Sequence, residues 1–380
     1  MKLSITNSPT TMIVLAAALV AATSPFAFAA SGNWALTGNL HTARDGHTAT
    51  LLPNGTVVVA GGELNNYALT SSEVYSQSSG SWSTVGHLNV ARVYASAILL
   101  ANGTVLVTGG CVASCQGATT ATAEIYNSTS RAWTLTGTML SGRAYFGAVM
   151  LPGGKILVAG GCTTLDNNGC ANVTARAEIY DPATDRWSAT GSMTVARGEL
   201  TVTMLPTGKV LAAGGRNSAG DQLASSELYN PATGQWTRTG SMNVPRDEHT
   251  AVLLASGNVL AIGGEDVNGI STARTELYNP ATGRWTLTGN LHTGRLEHTS
   301  TMLMNGKVLV SGGMYVTQSS QTVLASAELY NPSTGVWTQT GSLQNARTGH
   351  TSTLLHSGMV LDASGSGVTD DLVSAELYIP

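Results

Sequence analysis

The apolar positions of this chain come in short runs of Val, Leu, Ile and Ala, each bounded by Gly, Asn, Ser, Thr or Pro, and no helical spacing recurs after residue 30. Runs of that length and composition predict strands. The stretch from Asn243 to Trp285 displays the pattern most fully. It predicts strand a over His249 to Leu254, a Ser256-Gly257 turn, and strand b from Asn258 to Ile262 ending in Gly263-Gly264. After a variable segment, strand c carries Glu276-Leu277-Tyr278, an Asn-Pro-Ala-Thr-Gly turn follows, and strand d carries Trp285. Glycine in the a–b turn supplies the positive φ of a tight hairpin, and proline between c and d fixes φ while Asn or Asp bonds its own backbone.

This order recurs along the chain. Seven arginines head the copies, at positions 44, 92, 143, 197, 246, 295 and 347, and seven Glu-x-Tyr triplets close on Tyr75, Tyr126, Tyr180, Tyr229, Tyr278, Tyr330 and Tyr378. The seven tryptophans, from Trp34 to Trp337, fall in the same register at a period of roughly fifty residues, which identifies a repeat architecture. A four-stranded antiparallel sheet repeated seven times predicts a seven-bladed all-β propeller. The double glycines (Gly61-Gly62 through Gly312-Gly313, degraded to Ser364-Gly365 in the last copy), with the spaced Tyr and Trp, resemble the kelch repeat across about residues 33 to 380. The chain opens with a lone d strand around Trp34 and ends with a copy lacking its own. Pairing that strand with the segment ending at Tyr378 would close the ring and leave no blade incomplete.

Residues 1–29 read as a signal peptide: Lys2, an apolar core from Met12 to Ala22 too short to span a bilayer, and small residues at Ala27-Phe28-Ala29. A retained anchor is the alternative. Residues 30–380 then form the propeller in a secreted, periplasmic or cell-surface protein, with no further stable membrane span. Only 11% of residues are charged and the net charge is −4 with no basic patch, which excludes nucleic acid as a partner. Fourteen of the charged residues are the recurrent Arg and Glu, expected to satisfy one another between strands. Cys111, Cys115, Cys162 and Cys170 form an even set suited to disulfides. Local pairs Cys111–Cys115 and Cys162–Cys170 are the first expectation, and a cross-loop Cys111–Cys162 pair is the second.

Strand order places the uniform a–b and c–d turns on one face and the d–a and b–c connections on the other. The b–c segments vary most between copies, so recognition is expected on their face. The same face collects the residues that follow each arginine. The second position holds Gly46, Tyr94, Tyr145, Glu199, Glu248, Glu297 and Gly349, and the third includes His47, His249, His298 and His350. Those histidines are expected either as packing features of the blade or, with the neighbouring glutamates, as ligands of a divalent metal. Tyr67, Tyr94, Tyr145 and Tyr315 together would make an aromatic binding surface.

The scaffold also resembles the propeller domain of galactose oxidase, a secreted copper enzyme. The resemblance implies copper-binding Tyr and His at the second and third positions, beside a loop with closely spaced Cys. Arg92-Val93-Tyr94 and Gly109-Gly110-Cys111 to Cys115 match that arrangement. Ala95 replaces the implied His, and Glu199 replaces the family's cross-linked Tyr. The leading expectation is a monomeric, cofactor-free module for an extracellular glycan or protein. The alternative is a galactose-oxidase-like or other metal-dependent sugar-modifying enzyme using copper or another divalent metal.

Overall fold

A computed structural model describes residues 32–112, 119–166 and 169–380. The expected leader and Cys115 lie outside them. Among the described residues there is no helix long and apolar enough to cross a membrane.

Seven four-stranded antiparallel sheets form the blades. Blade 5 shows how the repeat folds: strand a is Thr250–Leu253, b Val259–Ile262, c Thr275–Asn279 and d Arg284–Leu287. Tyr278 pairs across to Val259 on one side and Trp285 on the other. The strand-a segments of successive blades touch one another around a complete circle, blade 7 returning to blade 1. Strand a is therefore innermost, and its start borders the central axis. Every strand b is buried along its length, because a blade on each side covers both of its faces. Each of the seven blade junctions holds its own apolar cluster, such as Leu205, Leu211, Met242, Val259, Tyr278 and Trp285 between blades 4 and 5. Removing each such side chain from water contributes roughly 1.5–3 kcal/mol.

Closure occurs as the sequence predicts. Asn33–Leu36 pairs antiparallel with Ala375–Ile379, placing Trp34 opposite Tyr378 and supplying the missing d strand of blade 7.

The recurrent arginines and glutamates are internal clasps. Arg246 donates through Nη1 to Gly263 O at 2.7 Å and Arg274 O at 2.7 Å, and through Nη2 to Glu276 Oε1 at 3.0 Å. Glu276 in turn accepts the backbone N–H of Asn243 at 2.7 Å and of Val244 at 3.0 Å, tying down the incoming d–a connection. All seven Arg–Glu pairs are buried. The double glycine joins the blades: Gly264 N donates to Arg295 O of the next blade at 2.8 Å, and the equivalent bond runs round the ring to Gly365 N and Arg44 O. The preceding Gly263 has φ 60°, and a Cβ there would stand 2.4 Å from Arg295 O, so only a residue without a side chain fits. In blade 7, Ser364 takes that left-handed conformation instead and offsets the strain by accepting Arg44 N–H at 3.0 Å.

The variable b–c segments are more ordered than the sequence suggests. Three of them fold as small hairpins, pairing Glu63–Leu64 with Tyr67–Ala68, Cys162–Asp166 with Gly169–Val173, and Met314–Val316 with Gln321–Val323. The second is closed by a disulfide between Cys162 and Cys170, with Cα atoms 5.2 Å apart. That bond overturns the cross-loop alternative, since Cys162 has no sulfur to offer Cys111. Cys111 is itself disulfide-bonded.

Candidate functional site

The second residue after each arginine forms a collar round the mouth of the axis. All seven have left-handed backbone: φ is 56° at Gly46, 54° at Tyr94, 49° at Tyr145, 55° at Glu199, 48° at Glu248, 49° at Glu297 and 61° at Gly349. Backbone bonds link neighbours along the collar, from Tyr94 N to Gly46 O at 2.9 Å and from Glu199 N to Tyr145 O at 2.9 Å. This turn lets the chain pass from the d–a connection into strand a while aiming the collar side chain at the axis. Glycine adopts the conformation freely, and blades 7 and 1 use it. A side chain costs on the order of 1–3 kcal/mol there, so five positions hold tyrosine or glutamate against a backbone preference.

These residues line a cavity of about 350 Å³. Its wall has three sectors. Blades 2 and 3 contribute Tyr94 and Tyr145, stacked with ring centroids 4.2 Å apart. Blades 4, 5 and 6 contribute an arc of Glu199, Glu248 and Glu297. Blades 7 and 1 leave a gap at the two glycines, where the ring of Tyr94 lies over Gly46 and would meet a Cβ at 2.5 Å. Phe146 and Leu200 line the cavity beside the tyrosines and glutamates.

Burial dominates the electrostatics of the acidic arc. It pushes the Glu199 carboxyl up to about 8, with repulsion from Asp247 adding to the effect. Asp247, immediately behind the collar and 1% exposed, is likewise raised to about 7 by burial and by Glu265. Burial raises Glu248 and Glu297 as well. Neither oxygen of Asp247 nor Oε2 of Glu199 has a hydrogen-bond partner. The cation beside them is Arg216, with Nη1 3.8 Å from Glu199 Oε2 and Nε 3.7 Å from Asp247 Oδ2. Glu297 Oε2 accepts from Thr348 Oγ1 at 2.9 Å.

The four histidines of the third position border the same cavity, yet they face the blade junctions. The Nε2 atoms of His249, His298, His350 and His47 lie 2.9–3.1 Å from Thr201, Thr250, Thr299 and Thr351 of the preceding blades. Their rings pack on the double glycines, as where a Cβ on Gly214 would stand 2.6 Å from His249 Cε1. Burial lowers His249 to about 3, and His47 and His298 well below their ordinary range, so these three are neutral at pH 7. His350 differs in also lying 3.3 Å from buried Asp362.

Among the described residues, one group of three metal-capable atoms lies within 4.8 Å of one another: Cys162, Cys170 and Glu199. Its two sulfurs are spent in the disulfide, and a cysteine binds a metal as the thiolate. The geometry therefore gathers Tyr94, Tyr145, Glu199, Glu248 and Glu297 into one site and does not gather the histidines into another. Tyr67 (70% exposed) and Tyr315 (38% exposed) stand on the b–c hairpins and do not line the cavity. Asp247 and Arg216 were not singled out by sequence reasoning. The available signal was an acid directly after the repeat arginine, which only Asp45 and Asp247 share.

A profile of the kelch motif matches residues 143–194, 206–243 and 298–344. The chain is a kelch-repeat β-propeller. No curated protein sequence matches this kelch propeller. A solved structure similar to it is described as a novel fungal alcohol oxidase with catalytic diversity among the AA5 family, in complex with copper. The TM-score is 0.71 at 18% identity, over 92% of this chain and 76% of that one. The two proteins thus share a fold. The residues present do not fit a copper centre at this mouth: the tyrosines stack on each other, no three carboxyl or imidazole donor atoms of the collar lie within 4.8 Å of one another among the described residues, and the sulfurs beside Glu199 are oxidised.

Proposed function

We propose that this kelch propeller is an exported binding module that takes a sugar unit of an extracellular glycan in its axial mouth. The observation that carries this reading is the cavity wall: a stacked tyrosine pair facing an arc of three carboxyl groups, all five on left-handed backbone. An aromatic face receives the C–H surface of a pyranose, and carboxyl groups accept from its hydroxyls. About 350 Å³ falls within the size range of small-ligand sites. Tyr67 and Tyr315, on hairpins of the same face, would meet the continuing chain of a longer glycan. The Cys162–Cys170 disulfide and the leader expected at residues 1–29 support an address outside the cytoplasm.

The test is a saturation-transfer NMR screen of oligosaccharides, followed by calorimetric titration of the hits. Parent protein is compared with Tyr145→Gly and Glu248→Gly, since glycine suits the backbone at both positions. Binding by the parent that both folded variants lose supports the reading. No binding by the parent, or equal binding by the variants, overturns it and directs the search to protein partners at the b–c loops.

A further inference from the structure

The arc gathers more carboxyl groups than a neutral sugar would require, and a bound cation would favour their ionised form. Glu199 is 8% exposed and lines the cavity, and its Oε2 accepts no hydrogen bond, its neighbouring cation being Arg216 at 3.8 Å. Glu248 and Glu297 continue the arc. The charged groups packed behind and beside the three are Asp247, Glu265, Asp45 and a single cation, Arg216, itself shared between Glu199 and Asp247. The stacked rings of Tyr94 and Tyr145 line the same cavity. Buried carboxyl groups with few donors favour a ligand that brings both donors and positive charge, and neighbouring aromatic rings add attraction for a cation.

A bare metal ion is the simplest such ligand, and the spacing does not suit it. No three carboxyl or imidazole donor atoms of the collar lie within 4.8 Å of one another among the described residues, and the cavity is far larger than an ion. A primary ammonium suits it better. It carries three N–H donors that can be divided among spaced carboxyl groups, with its carbon framework against the tyrosines.

Resting on the sugar-binding reading above, we infer that the axial mouth selects an amino sugar, its protonated amine held by Glu199, Glu248 and Glu297 and its ring against Tyr145 and Tyr94. The experiment is calorimetric titration of the parent at pH 6.5 with three matched oligosaccharide sets: glucosamine oligomers, their N-acetylated forms, and glucose oligomers. Putrescine and calcium are run as non-sugar cations. The free-amine oligomer is expected to bind at least roughly tenfold more tightly than the other two sugars. In Glu248→Gln/Glu297→Gln, which keeps shape and removes charge, that preference for the free amine over the N-acetylated and glucose oligomers is expected to collapse, and a preference left intact overturns the inference. Equal affinity for all three sugars overturns the amine inference and leaves the sugar reading standing. Binding of putrescine as tight as the amino sugar overturns the sugar reading and keeps the cation. Binding of calcium in competition with the amino sugar overturns the inference in favour of a metal, and no binding at all overturns both readings.

Discussion

At the scale of single residues, the collar sets backbone preference against side-chain placement, and the balance is measurable. Glu248 combines φ 48° with a carboxyl raised by burial and by Glu297 and Glu199. Replacement by glycine removes a strain on the order of 1–3 kcal/mol and costs about 0.4–1 kcal/mol through the freer unfolded chain. Glu248→Gly is therefore expected to be more stable than the parent, by about 1 kcal/mol in urea denaturation; a less stable variant would contradict the strain argument. The same burial sets a pH dependence. Glu199 and Asp247 have folded pKa values above their ordinary carboxyl values, so the folded state binds protons more tightly than the unfolded one. Their contribution is fully present below the unfolded pKa near 4 and is lost as pH rises through about 7 to 8. Buried neutral His249 acts oppositely: its folded pKa is lowered to about 3, so stability falls as pH drops below the ordinary histidine range. The thermal midpoint is thus expected to peak at mildly acidic pH and decline towards pH 9, and Glu199→Gln should flatten that decline. An unchanged slope would remove Glu199 as its source. These features were only partly legible in the sequence. The collar glutamates and tyrosines could be named from their place after the repeat arginine. Asp247 and Arg216 meet from different repeats, and the histidine rings turn to the blade junctions, which spacing along the chain does not encode.

At the scale of the blade, the repeated residues are legible because each copy restates the same physical requirement. Arg246 is required because it is the shared donor to Gly263 O and Glu276, both buried, and to Arg274 O at their edge. Replacing one member of such a clasp leaves an uncompensated buried charge. Arg246→Met is expected to cost about 3–5 kcal/mol by urea denaturation, while Arg238→Met, on an exposed part of strand d, should fall within about 0.5 kcal/mol of the parent. Comparable losses at both sites would show that the clasp adds nothing beyond surface charge. Glycines divide in the same way. Gly263→Ala drives a Cβ to 2.4 Å from Arg295 O of the next blade, whereas Gly306→Ala, in an a–b turn, meets nothing within 4 Å. Both need positive φ, so the turn variant should lose about 1 kcal/mol and the junction variant clearly more. Equal losses would mean that the inter-blade contact yields without cost. The hairpins in the b–c segments were hidden at this scale because each occurs once, in its own sequence, with no second copy to compare.

At the scale of the whole molecule, the ring has one place where it is not held by continuous chain. Blade 7 is completed by Asn33–Leu36, so the first described strand and the last meet edge to edge. Trp34 packs against Tyr378 with the rings tilted and their centroids 5.1 Å apart, and donates its indole N–H to Gly341 O at 2.9 Å, while Thr340 Oγ1 lies 2.8 Å from Tyr378 Oη. This closure was readable from the order of elements alone, since a lone d strand at one end and a missing d strand at the other are complementary. Its physical weight is larger than four residues suggest. Without it, the outer edge of Ala375–Ile379 is an unpaired strand, a template for association with another chain, and the junction cluster of Trp34, Leu303, Leu309 and Tyr378 loses its largest member. A variant lacking Gly32–Thr37 is expected to self-associate in sedimentation velocity and to melt well below the parent. A synthetic peptide of that segment, added in excess, should restore both the monomer and the melting temperature by mass action. If the shortened protein stays monomeric and melts with the parent, the ring is held by blade-to-blade packing and the Gly–Arg bonds alone. In that case the strand around Trp34 only caps an edge that the remaining junctions already keep in place.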